Sequence, residues 1–139
     1  MIMSEADERL GYAFIFGRDG GVPQVMSDLG RENGLTTDRW KNAHRNPELA
    51  AMIRFHNRTL GTGQRVAWAD KCVIVIERGD RGVVGINKCA SAFRANVQLA
   101  SVRGAVQDTL TGQTSTFDAN ADITIPARSA VMFLASAAR

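Results

Sequence analysis

The chain has 139 residues, enough for one ordinary domain or for a small domain with part of another. Apolar residues make up 45% and charged residues 22%, which excludes a disordered chain of low hydrophobicity. The net charge of +3 is spread along the chain with acids between the basic residues, so no basic stripe indicates binding to nucleic acid.

The amino-terminal region predicts a helix that starts after Ser4. This serine is a typical amino-terminal cap, and Asp7 stands three residues on as its capping-box partner. Apolar side chains then occupy nearly every face of residues 10–16, a pattern typical of a buried helix. Gly20 and Gly21 end the element.

A short extended run and a long polar loop follow the first helix. Pro23 excludes a helix interior at residues 22–26. Residues 27–38 are polar and contain Gly30 and Gly34, which favours a loop. A helix, an extended segment and a long loop in this order are typical of one unit of an α/β barrel.

A second helix is predicted from residue 47 onward. Asn46 is a cap, Pro47 suits the first turn and Glu48 places a negative charge near the positive helix end. Apolar residues recur at helical spacing from Leu49, and Gly61 ends the helix.

From residue 65 onward the pattern changes to short strands separated by turns. Residues 72–76 and 83–86 flank a turn and predict a hairpin, and residues 93–99 alternate strictly between apolar and polar side chains. Further strands are predicted at 102–110, 123–125 and 131–134. The predicted fold class is therefore α+β, with a helical segment over residues 1–62 and an antiparallel β-sandwich over residues 63–139.

The two cysteines, Cys72 and Cys89, fall near opposite positions of the predicted hairpin. A cross-strand disulfide is therefore geometrically feasible. The alternative is a pair of small free thiols, which is favoured in a cytoplasmic protein, whereas the bridge is favoured in a secreted one. Two cysteines this far apart do not make a metal site, and we expect neither a metal nor a cofactor.

Three acids, Asp28, Glu32 and Asp38, lie in the polar loop, where they could face a cleft. Most of the other acids stand at helix starts or in turns. Glycosidic bond hydrolysis needs two carboxyl groups across the bond, and nothing in this spacing demands such a pair. We interpret the three as residues of a solvated or substrate-lining loop.

The aromatic and imidazole side chains leave one open question. Trp40 follows the polar loop, where its ring could stack on a sugar or pack in the core or at a domain junction. Trp68, beside a strand, is expected to pack in the core or at a domain junction. His56 lies on the apolar face of the second helix and is expected to be a hydrogen-bonded core residue, whereas His44 precedes that helix and is expected at the surface.

Neither end of the chain predicts a membrane anchor. No apolar stretch is long enough to cross a bilayer, so no membrane partner is expected. The first five residues have neither the basic nor the apolar region of a secretion signal. This predicts a cytoplasmic location, or the loss of an original amino terminus.

Five segments in order resemble the carboxy-terminal part of α-amylases, the starch-degrading branch of glycoside hydrolase family thirteen. Residues 10–28 resemble the last helix-to-strand step of the barrel, residues 38–40 the end of the following loop and residues 52–57 the final barrel helix. Residues 78–89 resemble the first hairpin of the carboxy-terminal sandwich, and residues 108–112 a later strand and turn of that domain.

The resemblance implies an α/β barrel followed by an antiparallel sandwich, with three catalytic acids on barrel strands four, five and seven. The segments that carry those acids and the calcium-binding portion have no counterpart here, so no catalytic residue is carried over. Only the loop around Asp28, Glu32, Asp38 and Trp40 would border the cleft, and only as its rim.

The leading hypothesis is therefore a truncated, non-catalytic, α-amylase-like chain with a structural or interaction role. Its first helix would leave an apolar patch, which predicts a homo-oligomer formed through the helical region. One alternative is a module that binds α-glucan. The other is an α-amylase part that hydrolyses α-1,4-glucans when a separate chain supplies the missing barrel.

Overall fold

The computed structural model describes residues 4–24 and 45–136, which form two helices and eight strands. Helix α1 spans Glu5–Gly17 and helix α2 spans Pro47–Thr59. The strands are β1 (Arg65–Ala69), β2 (Val73–Arg78), β3 (Gly82–Asn87), β4 (Phe93–Gln98), β5 (Gly104–Asp108), β6 (Thr114–Phe117), β7 (Asn120–Ile125) and β8 (Ser129–Ala135).

Both helices start where their caps were predicted. The Ser4 side chain accepts a hydrogen bond from the backbone N–H of Asp7, and its hydroxyl donates to the Asp7 carboxylate at 2.6 Å. The Asn46 side chain accepts from the backbone N–H of Glu48, and Pro47 occupies the first helical position. These contacts satisfy N–H groups that a helix start leaves without partners.

The fold is α+β: the eight strands form two antiparallel sheets, and the two helices accompany them. The larger sheet has the order β1-β2-β3-β8-β5-β6, and the smaller one pairs β4 with β7. β1 contacts β4, and β6 contacts β7, so the two sheets approach each other at both edges. These contacts shield strand edges that would otherwise be open to pairing with another chain.

The core between the two sheets is apolar and closely packed. Val75, Val83, Val97 and Ile123 are fully buried in it, and the rings of Phe117 and Phe133 meet edge to face at a centroid distance of 4.9 Å. Since alternate residues of a strand point to opposite faces, the other face of the larger sheet is free to pack against the helices.

The two helices pack on that other face and share a second core with it. Phe16 of α1 and Phe55 of α2 meet Ile76, Val84 and Met132 of the sheet there. α2 approaches the sheet so closely that a Cβ atom added at Gly82 would lie 2.8 Å from the Phe55 ring.

α1 is less buried than its composition predicts. Leu10, Ala13 and Phe16 are buried, but Phe14 is 41% and Ile15 45% exposed. The interpretation as a buried helix holds for one side only, and the exposed Phe14 and Ile15 belong to the apolar patch that the first helix was expected to leave. The reason is that α1 packs on the sheet and on α2 through one side, and no described element covers its other side.

The predicted strands differ from the observed ones at β1, β2, β5 and β6, and β2 extends through residues 77 and 78 of the predicted turn. The predicted strand at 102–110 is shorter, because Asp108 begins a turn in which it accepts a hydrogen bond from the Leu110 N–H at 3.1 Å. Strands β1 and β6 were not predicted. Both are edge strands of the larger sheet with mostly exposed side chains, so they lack the apolar alternation that marks a strand.

Within the described residues, no helix has the length and apolarity needed to cross a membrane. The division into segments 1–62 and 63–139 stays a prediction.

Candidate functional site

The predicted rim residues Asp28, Glu32, Asp38 and Trp40 lie outside the described residues, as does His44. Their assignment to a substrate-lining loop stays a prediction. The carboxylates, cavities and apolar surfaces of residues 4–24 and 45–136 supply the candidate features of a site.

Three acids on the surface pair with arginines. Arg9 of α1 donates to Glu48 of α2 at 2.6 Å. Arg94 and Asp122 bridge β4 and β7 at 2.9 Å. Arg128 pairs with Asp7 and thereby joins the start of β8 to the start of α1. The last of these pairs is a structural contact between distant elements.

Two further acids stabilise turns. Asp70 accepts from the indole N–H of Trp68 at 2.9 Å and from the backbone N–H groups of Cys72 and Val73. The hydrogen bond from Trp68, followed by those backbone bonds, lowers the pKa of Asp70. The buried Asp108 accepts from the N–H of Met132 at 3.0 Å and so fixes the turn after β5.

Glu77 is a buried carboxylate near the end of β2. Its oxygens accept from three consecutive backbone N–H groups, those of residues 100–102, at 2.6–2.9 Å, and from Arg65 at 3.2 Å. Burial opposes ionisation, but the three N–H groups and Arg65 outweigh it, so the pKa of Glu77 is lowered. The carboxylate therefore anchors the connection between β4 and β5.

Because its pKa is lowered on folding, Glu77 is expected to make stability depend on pH. The ionised form stabilises the folded state fully above the ordinary value of about 4.5, and this contribution disappears as pH falls through the lower folded pKa. In Glu77→Gln the free energy of unfolding is expected to be lower at pH 7, and the part of its decrease on acidification that comes from Glu77 is expected to vanish. Urea unfolding from pH 7 to 3 measures it, and an unchanged pH profile would contradict the assignment.

Arg78 joins the two helices to the larger sheet. Its side chain is only 1% exposed. The guanidinium donates to the carbonyl oxygens of Gly17 at 2.8 Å, Thr59 at 3.1 Å and Gly63 at 2.8 Å, and it lies 3.4 Å from the Asp19 carboxylate. Gly17 and Thr59 are the last residues of α1 and α2, so one cation caps the negative ends of both helices.

Cys72 and Cys89 form a disulfide across the hairpin of β2 and β3. The bond closes the open end of that hairpin, where Lys88 N–H also donates to the Cys72 carbonyl at 2.9 Å. The Cys89 carbonyl accepts from the Arg128 N–H at 3.0 Å, which continues the connection toward α1. The bridge therefore belongs to the framework of the fold.

An apolar groove of about 350 Å³ lies between α1, the residues that follow it and α2. We call this surface the outer helix face and define it by the groove residues Phe16, Val22, Ile53, His56 and Leu60. Ile53 is 38%, Leu60 54% and Val22 85% exposed. Large apolar side chains concentrated in this way usually mark an interaction surface.

His56 forms part of that groove and is more than nine-tenths buried. Its Nδ1 lies 3.3 Å from the carbonyl oxygen of Phe16, and its ring meets the Phe16 ring edge to face. Since a carbonyl only accepts, Nδ1 carries the proton of that contact. Nε2 makes no hydrogen bond within the described residues.

A larger cleft of about 710 Å³ lies between α2 and the turn that follows β5. We call it the α2–turn cleft and define it by Arg54 on the helix wall, Thr109, Thr111 and Gln113 on the turn wall, and Ser129 at the start of β8. Its lining mixes hydroxyl, amide and charged groups with apolar side chains. This combination is typical of sites for polar organic ligands.

Residues 4–24 and 45–136 contain no group of three or more His, Cys, Asp or Glu side chains that could hold a metal ion. Trp68 is half-buried and packs edge to face on Phe93 at a centroid distance of 5.3 Å, in agreement with its expected packing role. Its indole N–H is already bonded to Asp70.

Sequence reasoning missed Glu77 and Arg78. The prediction placed both in the turn of the hairpin, where charged side chains are usually solvated, yet both belong to β2 and are buried. No local pattern could have identified them, because their partners lie far along the chain in α1, in α2 and in the connection after β4.

Comparison with known proteins finds similarity to α-amylases. An α-amylase from Aeromonas hydrophila is 40% identical over 88 residues, which are 63% of this chain and 19% of that relative. No protein-family model matches the chain. The aligned part therefore spans about a fifth of the relative's length.

Solved structures agree with this comparison at the level of the fold. An α-amylase from Malbranchea cinnamomea superposes with a TM-score of 0.70 at 16% identity, covering 96% of this chain and 33% of that one. α-Amylase I from Eisenia fetida superposes with a TM-score of 0.69 at 20% identity, covering 94% of this chain and 36% of that one. The chain thus spans about a third of each.

Proposed function

We propose that this chain, which resembles the carboxy-terminal part of α-amylases in sequence and fold, is a non-catalytic structural module of an amylase-type glycoside hydrolase. In this role it contributes no catalytic acid, and it offers the outer helix face as a docking surface. Hydrolysis of α-1,4-glucans would then require an α/β barrel with its own acids.

The contacts of the described carboxylates support the non-catalytic role. Glycoside hydrolysis needs an acid and a base or nucleophile that are free to reach the substrate. Glu77 and Asp108 are buried and saturated with N–H donors, and Asp7, Glu48 and Asp122 are held by arginines. Such groups stabilise a fold and are poorly placed to exchange protons with a sugar.

The exposed apolar residues of the outer helix face support the proposed docking role. α1 and α2 already bury one side against the larger sheet, yet Val22, Ile53 and Leu60 of the outer helix face remain exposed. A helix layer that is apolar on both sides is typical of the middle layer of a larger assembly. In the proposed enzyme the second neighbour is the rest of the barrel.

In solution without a barrel, a second copy of the chain is the available partner for this face. We expect the 139-residue protein to sediment as an oligomer at micromolar concentration, and Leu60→Asp to shift it to the monomer, because a buried carboxylate at the contact is costly. Val66→Asp is the matched control, since Val66 is 48% exposed on β1 and does not line the groove.

Two results would contradict this docking role. One is a wild-type chain that remains monomeric at these concentrations. The other is an equal effect of the Leu60 and Val66 substitutions, which would mean that added charge alone drives dissociation. Release of reducing sugar from starch by the pure chain, absent from a buffer blank, would overturn the non-catalytic part of the proposal.

A further inference from the structure

We infer that the Cys72–Cys89 disulfide is a redox-sensitive latch for the start of α1, and that Arg128 connects the two. Reduction of the bridge loosens the segment that follows β3. Arg128 then loses the contacts that fix it to this segment, and its pairing with Asp7 in the first turn of α1 weakens. The latch is independent of the proposed docking role.

Arg128 lies between the bridge and the first helix. Its backbone N–H donates to the Cys89 carbonyl at 3.0 Å, and its Nη1 donates to the Lys88 carbonyl at 2.9 Å. Its Nη2 donates to the Asp7 carboxylate, 121 positions away in sequence. One residue thus joins two carbonyls at the bridge to the start of α1.

The backbone of Arg128 adopts an unfavourable conformation. Of the residues that the structure describes, it is the one non-glycine residue in the left-handed region, with φ at 52°. Such a conformation costs free energy and persists where the surrounding contacts impose it. The carbonyls of Lys88 and Cys89 supply contacts of this kind, so we expect Arg128 to relax when these carbonyls move.

The segment after β3 is fixed by the bridge and by hydrogen bonds. The Asn87 side chain accepts from the Cys89 N–H at 3.0 Å and donates to the Ser91 carbonyl at 2.8 Å. The disulfide adds a covalent connection from the same segment to Cys72. When this connection opens, hydrogen bonds alone fix the carbonyls that Arg128 contacts.

Asp7, at the other end of the connection, belongs to the cap of α1. Its carboxylate accepts from the Ser4 hydroxyl at 2.6 Å, and its backbone N–H donates to the same hydroxyl. Hydrogen bonds from Ser4 and then from Arg128 lower the pKa of Asp7. Since a cap stabilises the first turn of a helix, weaker pairing with Arg128 favours fraying of that turn.

The bridge is accessible to a reductant. Both cysteines are only half-buried, and Cys72 lines a cavity of about 220 Å³ together with the exposed Lys88. Positive charge near a cysteine favours the thiolate, which is the leaving group when a disulfide is cleaved.

The co-reactant is a dithiol. Its thiolate attacks one sulfur of the bridge, the S–S bond breaks, and a mixed disulfide and one cysteine thiolate form. The second thiol of the reductant then displaces the other cysteine. Two electrons and two protons have passed to the protein, which holds two thiols, and the reductant holds an internal disulfide.

Hydrogen exchange of the full chain at pH 7, before and after reduction by dithiothreitol, tests the latch. The amides of residues 8–12 in α1 are expected to exchange about fivefold faster after reduction, the effect of weakening one exposed ion pair on local opening. The amides of residues 51–58 in α2, which carries none of these contacts, are expected to change much less.

Arg128→Asn is the matched variant, because asparagine tolerates the left-handed backbone but lacks the guanidinium. Its residues 8–12 are expected to exchange faster already in the oxidised protein and to respond little to reduction. The double variant Cys72→Ala, Cys89→Ala is expected to match the reduced wild type with or without dithiothreitol.

Four results would overturn the latch. The first is a bridge that thiol titration shows to stay closed in the folded protein under dithiothreitol. The second is unchanged exchange of residues 8–12 after reduction. The third is equal acceleration in α1 and α2, which would indicate a general loss of stability. The fourth is a response of Arg128→Asn to reduction as large as that of the wild type.

Discussion

Replacement of Arg78 by methionine is expected to lower the free energy of unfolding by about 4 kcal/mol. Methionine fills a similar volume but donates no hydrogen bond. The carbonyls of Gly17, Thr59 and Gly63 would therefore lose a buried donor, and the ends of both helices would lose their compensating charge. A loss of this size is a large part of the total stability of an ordinary domain, about 5–15 kcal/mol.

Urea unfolding followed by circular dichroism measures this effect. Arg94→Met is the matched control, because the Arg94 side chain is 74% exposed and its pair with Asp122 lies at the surface. We expect it to cost at most about 1 kcal/mol. Arg78→Lys retains the positive charge but lacks the planar guanidinium with its several N–H donors. Its loss in the free energy of unfolding should therefore lie between those of Arg78→Met and Arg94→Met, and it can be measured if Arg78→Met fails to fold. Equal losses at positions 78 and 94 would show that Arg78 does not hold the helices.

Removal of the disulfide by the double substitution Cys72→Ala and Cys89→Ala is expected to lower the free energy of unfolding by about 3 kcal/mol. The bond joins residues 17 positions apart, and opening a loop of this length gives the unfolded chain more freedom. The folded state changes little, since β2 and β3 remain paired along six residues each.

Reduction of the wild-type protein provides an internal control for this prediction. Dithiothreitol should shift the urea midpoint of the wild type to that of the double variant and leave the variant unchanged. A wild-type midpoint that does not respond to reduction would contradict the contribution assigned to the bridge. Disulfides of this kind persist mainly in oxidising compartments, so the measured sensitivity to reductant also bears on the predicted cytoplasmic location.

Local signals determined much of the fold. The caps at Ser4 and Asn46 and the hairpin of β2 and β3 all depend on residues close in sequence, and each was predicted. The facing positions of Cys72 and Cys89 follow from the same hairpin. Even the α-amylase resemblance depends on ordered short segments, and the comparison with the Aeromonas hydrophila relative agrees with it.

Contacts between distant residues decided the rest. Whether a side chain is buried depends on what packs against its element, and Arg78 meets Gly17 across 61 positions of sequence. The α2–turn cleft likewise exists only because α2 lies beside the turn after β5. The sequence by itself determined both helices, the strands with an apolar pattern and the similarity to α-amylases, whereas the edge strands β1 and β6 were recognised only in the structure. Only the tertiary structure decided that Glu77 and Arg78 are buried and that α1 leaves Phe14 and Ile15 exposed. It also decided where a ligand could enter. These properties arise from the packing of elements that are far apart in the chain.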